Sequence, residues 1–405
     1  MASVRYGDAE EYPLDGSDER ERERLRDYRG GVFAPRGPVD APFLVLTLII
    51  LAIGVIMILS ASFARAYYTS GDPTKYFTRQ LIFAVSGVAL MLITSRVSVR
   101  IFRFFSIWIL LASIVMLALV PIIGISEGGA KRWISLGFTT FQPSEVAKLA
   151  IVLSFSQMVC VFKDKMKTFK YGVLPFVIIL LLIVGLLYLE PHLSASVIII
   201  ALGAIMMFAG GTRLYWFIGG AGFVGAAAYV TVTKMGYAAD RIAAWRDPFS
   251  DPKGDGWQII QSLYAIGSGG FLGLGLGQGR QKYLYLPEEH NDFIFSVVCE
   301  ELGYVGALLI IILFALLITR GFWLALHARD RYGALVVTGL TSLLALQVFL
   351  NIAVVSNLIP CTGISLPFFS YGGTALWLQL CEAGIILSIS RDIPLKSKKS
   401  RRSAK

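Results

Sequence analysis

An all-α, polytopic membrane protein is the expectation, and three observations carry it. Hydrophobic residues make up 56% of the 405 residues, and the mean hydropathy is +0.67. Charged residues are 16% of the chain, against about 25% in soluble domains. Apolar runs recur at the roughly 20-residue length that a helix needs to cross a bilayer. In lipid the backbone must satisfy its own hydrogen bonds, which leaves helices or closed barrels. The runs here are too long and continuous for the alternating strands of a barrel.

Ten candidate spans follow in order, Phe43–Ser62, Leu81–Thr94, Phe104–Ile123, Val146–Val161, Tyr171–Leu189, Leu193–Ala209, Leu214–Thr233, Phe293–Thr319, Ala334–Val355 and Ala375–Ile389. Several are short, which predicts tilt or cover from neighbours. An even number places both chain ends on one side. The N-terminal stretch carries seven arginines and the C-terminal stretch ends in LKSKKSRRSAK. The loops of that same side hold Arg96, Arg100, Arg103, the lysines at 163–170, Arg213, Arg320, Arg329 and Arg331. Positive residues mark the cytoplasmic face. Both termini are therefore expected inside. Residues 1–41 read as a charged, solvated cytoplasmic tail without fixed structure. Residues 42–390 form the membrane domain, with a large extracellular loop at 234–292, and 391–405 are a basic cytoplasmic tail. The net charge of +10 is this bias plus attraction to anionic lipid. Nucleic acid is not an expected partner, because there is no soluble basic domain.

Several function classes are excluded by what the chain lacks. It has no signal-peptide pattern at its start. Its four cysteines and three histidines show neither disulfide nor zinc spacing. No phosphate loop, nucleophile elbow or HExxH occurs. The run GLGLGQG at 273–279 lacks the preceding strand of a dinucleotide site.

The chemistry-bearing segment is the polar loop 234–292. A loop this long is more than a connector. Within it DPFSDPKGDGWQ places Asp247 and Asp251 four apart, each before a proline. Proline pushes the preceding residue to extended geometry, which presents each carboxylate outside any helix. Ordinary turn chemistry is the plainer alternative. Arg241, Arg246, Lys253, Arg280 and Lys282 surround them, either as weak surface pairs or as an anion site. A second outer segment, Ser126–Glu145, carries Lys131, Arg132 and Trp133, which suit either a headgroup anchor or phosphate binding. Glu145 and Lys148 are three apart on one helix face, and charges at membrane depth usually face a cavity. Glu190 and His192 occupy another outer turn. The glycine- and proline-rich loop 360–375 is irregular backbone, tolerated where it lines a cavity.

Taken together, RWISLG with QPSEVAK, DPFSDPKGDGWQIIQSLYAIGSGG, LGLGQGRQKYLYLPEEHNDFIFSVVCEELG and TGISLPFFSYGGTA resemble the SEDS family of shape, elongation, division and sporulation proteins. The resemblance runs from the first span to Arg391. It implies a ten-helix protein that polymerises lipid II into β-1,4-linked glycan strands at the outer face of the bacterial cytoplasmic membrane, with a class B penicillin-binding protein as crosslinking partner. Other divisome or elongasome membrane proteins are implied as partners. The long tail and the FFSYGGTA wording are closer to FtsW-type members, which implies septal synthesis. The resemblance also points to the aspartate of a D-P-x-G segment before an aromatic-Gln pair, here Asp251, as the catalytic residue. One departure is Pro191-His192-Leu193-Ser194, where many relatives have PDLG.

In that chemistry a sugar 4-hydroxyl attacks an anomeric carbon, and undecaprenyl pyrophosphate leaves with inversion. A positioned base contributes typically 10² to 10⁴ in rate. Asp251 is the expected base. Lys131, Arg132, Glu145, Lys148, Arg246 and Lys282 are the expected substrate-binding set. No cofactor motif is present; a divalent cation, magnesium or manganese, is the alternative to side-chain cations at the pyrophosphate. A lipid II flippase and a non-catalytic divisome scaffold are the competing functions. Neither needs a dense outer set of carboxylates and cations, and a scaffold tolerates loss of Asp251.

Overall fold

The computed structural model describes residues 37–127, 130–135, 137, 139–234, 236–254 and 256–393. Most of each expected tail, 1–36 and 394–405, lies outside the described residues.

Helix α1, Ala41–Ser70, starts where Asp40 Oδ1 accepts the Phe43 N–H at 2.9 Å and Pro42 occupies the first turn. It ends at Gly71 in the left-handed region, φ 72°. Helices α2 (Lys75–Thr94) and α3 (Val99–Ile123) follow. The segment expected as a plain outer loop is instead a small antiparallel meander: β1 Ile125–Glu127, β2 Ala130–Ser135 and β3 Thr140–Phe141, in the order β1-β2-β3. This adds a little sheet to an otherwise helical chain. Helix α4, Pro143–Phe162, begins with proline in its first turn, and α5, Leu174–Leu189, follows a short polar turn.

Helix α6, Leu193–Ala209, has 17 residues. At 1.5 Å per residue that is about 26 Å, short of the roughly 30 Å hydrocarbon core. Helix α7, Leu214–Lys234, leads into the long polar segment. That segment is not structureless, since it contains α8 (Gly236–Arg246) and α9 (Trp257–Gly269). Helices α10 (Ile294–His327), α11 (Arg331–Val355) and α12 (Gly373–Ser390) complete the bundle. Among the described residues, eight helices are long and apolar enough to cross a membrane. Helices α6 and α7 occupy the other two expected positions.

Helices α4, α11 and α12 are the most enclosed. Phe155 and Phe176 meet edge-on at 4.8 Å in the core. The bundle's outer surface is apolar, as at Val85, Trp108, Ile122 and Ile218, which is the surface lipid requires. The two ends of the domain adjoin. Gly37 and Arg391 exchange hydrogen bonds, Asp40 N–H donates to Ser390 Oγ at 3.1 Å, and Arg320 grips the Asp40 carboxylate through Nε and Nη2.

Helix α10 is broken at Gly303, φ 68°. The glycine-rich loop plugs the break. Leu274 and Gly275 N–H donate to the carbonyls of Glu300 and Glu301, and Tyr304 N–H donates to Gly270 O, each at 3.0 Å. A Cβ on Gly303 would lie 2.2 Å from Gly273 N, so only glycine permits the approach. The side chains of Glu300 and Glu301 then accept the N–H groups of Arg280 and Gln281, and of Gly277 and Gly279. Freed backbone groups at membrane depth must find such partners. The GLGLGQG run serves this docking.

Candidate functional site

Segments distant in sequence converge at the end of the bundle opposite Gly37 and Arg391. At their centre is Asp292, one residue before the apolar run of α10. Its main-chain carbonyl accepts Asn351 Nδ2 of α11 at 2.8 Å, and the same Nδ2 reaches Ile364 O at 2.6 Å. This ties the Asp292 segment to the loop before α12. A Cβ on Gly363, φ +65°, would sit 3.0 Å from Asp292 Oδ2, so that loop passes directly over the carboxylate. Asp292 is half-buried. Burial, reinforced by Glu288, pushes its carboxyl up to about 6, against the pull of Arg241, Arg132 and His290.

Arg241 comes from α8 and donates to Cys361 O at 2.7 Å. Arg132 comes from β2. Side chains alternate along a strand, so Lys131 is exposed while Arg132 turns inward. It donates Nη2 to Pro191 O and points Nε at Glu190 O, 3.5 Å away. The turn before α6 is thereby held beneath it. Glu190 is buried, and neither carboxyl oxygen has a hydrogen-bond partner. Burial pushes it up to about 8 against Arg132. His192 is pushed down to about 3 by burial, with Arg132 and Lys148 adding to it. Both groups are therefore neutral near pH 7. Gln142 Nε2 lies 3.5 Å from His192 Nε2. Further in, Lys148 Nζ donates to Glu145 Oε1 at 2.7 Å and both are largely buried. Glu382 of α12 interacts with the same pair.

The expected site residues divide into groups. Arg132 reaches the Asp292 cluster, and Lys148 reaches His192 beneath it. Glu145 and Lys148 form the internal ion pair. Arg246 is exposed. Lys282 is 2% exposed and is not part of this cluster; its Nζ donates to Glu301 Oε1 at 2.6 Å and to Ser60 Oγ at 2.9 Å. A buried ammonium needs such partners, and it locks the glycine-rich loop to α1 and α10.

Asp251 is exposed. Its Oδ1 accepts the Gly254 N–H at 3.1 Å, and its carbonyl accepts the Gly256 N–H at 3.2 Å. A Cβ on Gly254 would meet Asp251 Oδ2 at 2.0 Å, so the glycines of DPKGDG are there to let the chain wrap the aspartate. Asp247 likewise accepts Phe249 N–H at 3.2 Å. Both are turn chemistry of the kind Asp-Pro favours. Asp292 was not among the expected site residues, and Arg241 was expected only as one cation of an anion site around Asp247 and Asp251. The available signal was an acid directly abutting an apolar span, an expensive position unless it serves a site.

Lys131→Ala and Arg132→Ala are expected to differ. Lys131 is exposed, so its loss should leave Tm unchanged and weaken lipid II binding about two- to fivefold. Arg132→Ala removes charge-assisted bonds worth about 1.5–3 kcal/mol each and should lower Tm as well. Thermal unfolding and lipid II binding in one detergent measure both. Unchanged binding in Lys131→Ala would reduce that residue to a headgroup anchor.

Among the described residues no three His, Cys, Asp or Glu side chains converge in a way that could hold a metal ion.

Comparisons with known proteins agree on one family. The cell cycle protein model for FtsW, RodA and SpoVE matches residues 41–394. The chain is 41% identical over 359 residues to a probable peptidoglycan glycosyltransferase FtsW of Trichlorobacter lovleyi, covering 88% of this chain and 94% of that one. It is 39% identical to stage V sporulation protein E of Bacillus subtilis, covering 87% and 97%. Among solved structures, a chain of a peptidoglycan synthase complex that coordinates polymerization and crosslinking superposes with a TM-score of 0.72 at 30% identity, covering 87% of this chain and 98% of that one. The rod shape determining protein RodA of Thermus thermophilus superposes at 0.64 and 27% identity, covering 88% and 98%. The fold, the spans and these relatives converge: this chain is a multi-pass membrane protein that belongs to the FtsW/RodA/SpoVE, or SEDS, family of cell cycle proteins.

Proposed function

We infer how this family member works from the cluster around Asp292. The chain is a peptidoglycan glycosyltransferase of cell-wall synthesis, and its substrate is lipid II. One arrangement carries the mechanism: a half-buried carboxylate, raised to about 6 by burial, is acted on by the charges of Arg132 and Arg241 and lies under the loop carrying Gly363. A general base works best when its pKa lies near the operating pH. Asp292, rather than the exposed Asp251, is the proposed base. The sugar 4-hydroxyl passes its proton to the Asp292 carboxylate as its oxygen bonds to the donor's anomeric carbon. The bond from that carbon to the pyrophosphate oxygen breaks on the opposite face, so the α-linked donor becomes a β-1,4 link.

Arg132 and Arg241 are the cations whose charge acts on the Asp292 carboxylate. They stabilise the charge that develops on the leaving pyrophosphate, without a step through a metal. The Lys148–Glu145 pair is largely buried, and its lysine acts electrostatically on His192. Polyprenyl tails stay in lipid along the bundle's apolar surface, which explains a sugar polymerase built from spans. A class B penicillin-binding protein is the proposed crosslinking partner, supported by the likeness to the synthase complex. Septal division is the proposed setting, supported by the FtsW relatives. The test is lipid II polymerisation by the purified chain, with and without that partner, read on a glycan-strand gel. Absence of polymer under both conditions would favour a flippase or scaffold.

The cluster is proposed to face outside. A cysteine placed at the exposed Ser250 is then expected to react with an impermeant maleimide in intact cells. One placed at Ser397 is expected to react only after lysis. The reverse pattern would invert the topology and remove the site from the outer face.

A further inference from the structure

We propose that Tyr76, His290 and Tyr371 form a sugar-ring platform for the β-1,4-linked glycan, set beside the Asp292 carboxylate. The inference rests on the glycosyltransferase reading above and names the side chains that would hold the sugar. Tyr76 opens α2, His290 lies two residues before Asp292, and Tyr371 comes from the loop before α12. Tyr76 and Tyr371 meet edge-to-face at 5.0 Å and 89°. Tyr76 lies 4.9 Å from the His290 ring, and His290 lies 5.7 Å from Tyr371.

The cluster is anchored to the base-bearing segment from several sides. Tyr371 N–H donates to His290 O at 2.9 Å, and Ser370 Oγ donates to Asn291 O at 2.8 Å. Arg65 of α1 donates Nε and Nη2 to the two oxygens of the buried Glu289, each at 2.7 Å. A platform fixed this way holds its ligand in register with Asp292.

Two features separate it from an interfacial aromatic belt. Tyr67 and Tyr68, at the end of α1, are 58% and 68% exposed, as belt residues are. Tyr76 and Tyr371 are instead half-buried over a buried imidazole. Polar capacity also flanks the rings. Asn291 Oδ1 is buried and accepts no hydrogen bond among the described residues, while His290 Nδ1 faces Glu289 Oε1 at 3.7 Å. Buried polar atoms are ordinarily paired. Aromatic faces with a few convergent polar atoms suit an amphipathic ligand. A pyranose offers one, with C–H groups to lay on a ring face and hydroxyls to pair at its edge.

Chitotetraose, the β-1,4 tetramer of N-acetylglucosamine, is a lipid-free probe of this site. Saturation-transfer NMR on the full chain in detergent should show transfer to its ring protons. Tyr76→Leu should weaken the binding about 3- to 10-fold, while Tyr76→Phe, which keeps the ring, should bind as wild type does. In polymerisation assays Tyr76→Leu should raise KM for lipid II more than it lowers kcat. Absence of transfer to the wild-type chain would overturn the platform. So would equal transfer to wild type and to a Tyr76→Leu variant of normal Tm. Asp292→Asn keeps the two ideas apart, since its polymer yield tests the base and its saturation transfer tests the platform.

Discussion

Asp292→Asn is expected to lower polymerisation by about 10² to 10⁴-fold without loss of folding. The amide is nearly isosteric, and Asn351 Nδ2 holds the segment through the Asp292 main-chain carbonyl, a contact that the substitution leaves in place. Asp251→Asn should retain most activity, because the amide oxygen still accepts the Gly254 N–H. The wild-type pH profile supplies a second readout. Burial and Glu288 raise the Asp292 carboxyl to about 6, so the ionised, proton-accepting form falls away below that pH. kcat/KM should rise about tenfold per pH unit below 6 and level off above it. Near-normal polymer from Asp292→Asn with its partner present, beside an inactive Asp251→Asn, would return the base to the DPKGDG turn.

Lys282→Met should be the most destabilising single change considered, at about 3–5 kcal/mol. Its ammonium is the cation paired with Glu301, whose carboxylate also accepts Ser60 and the N–H groups of Gly277 and Gly279. Without it a charge is left buried where the glycine-rich loop enters the break in α10. Lys282→Met/Glu301→Gln should recover part of the loss, since a neutral amide keeps an acceptor and removes the unpaired charge. Thermal unfolding in detergent and protein level in membranes measure the effect. A Lys282→Met chain of normal Tm with weakened lipid II binding would restore Lys282 to the substrate-binding set.

The difference between the two aspartates shows where a sequence reading stops. DPKGDG announces itself because proline and glycine act on adjacent residues, and the structure forms the turn those residues dictate. That local signal concerns backbone shape, and a well-made turn looks the same whether its carboxylate is catalytic or structural. Asp292 gives no such local sign beyond an acid abutting an apolar run. Lys282 misleads for the same reason. Its neighbours in sequence are loop residues, whereas its partners, Ser60 and Glu301, lie on two different spans.

By itself the sequence determined the membrane class, the approximate places of the long apolar helices and the family, because each rests on composition, apolar run length or contiguous motifs. Lipid imposes those rules residue by residue, so they survive in one dimension. Only the tertiary structure decided that Ser126–Glu145 contains a meander that turns Arg132 inward, that a glycine-rich loop repairs a broken helix, and that Asp292 is a half-buried carboxylate acted on by the charges of Arg132 and Arg241. Each depends on burial and on charges contributed by segments far apart in the chain. The energy of a charged group is set by what surrounds it in space, and that is fixed only when Arg132, Arg241, Gly363 and Asp292 have been brought together.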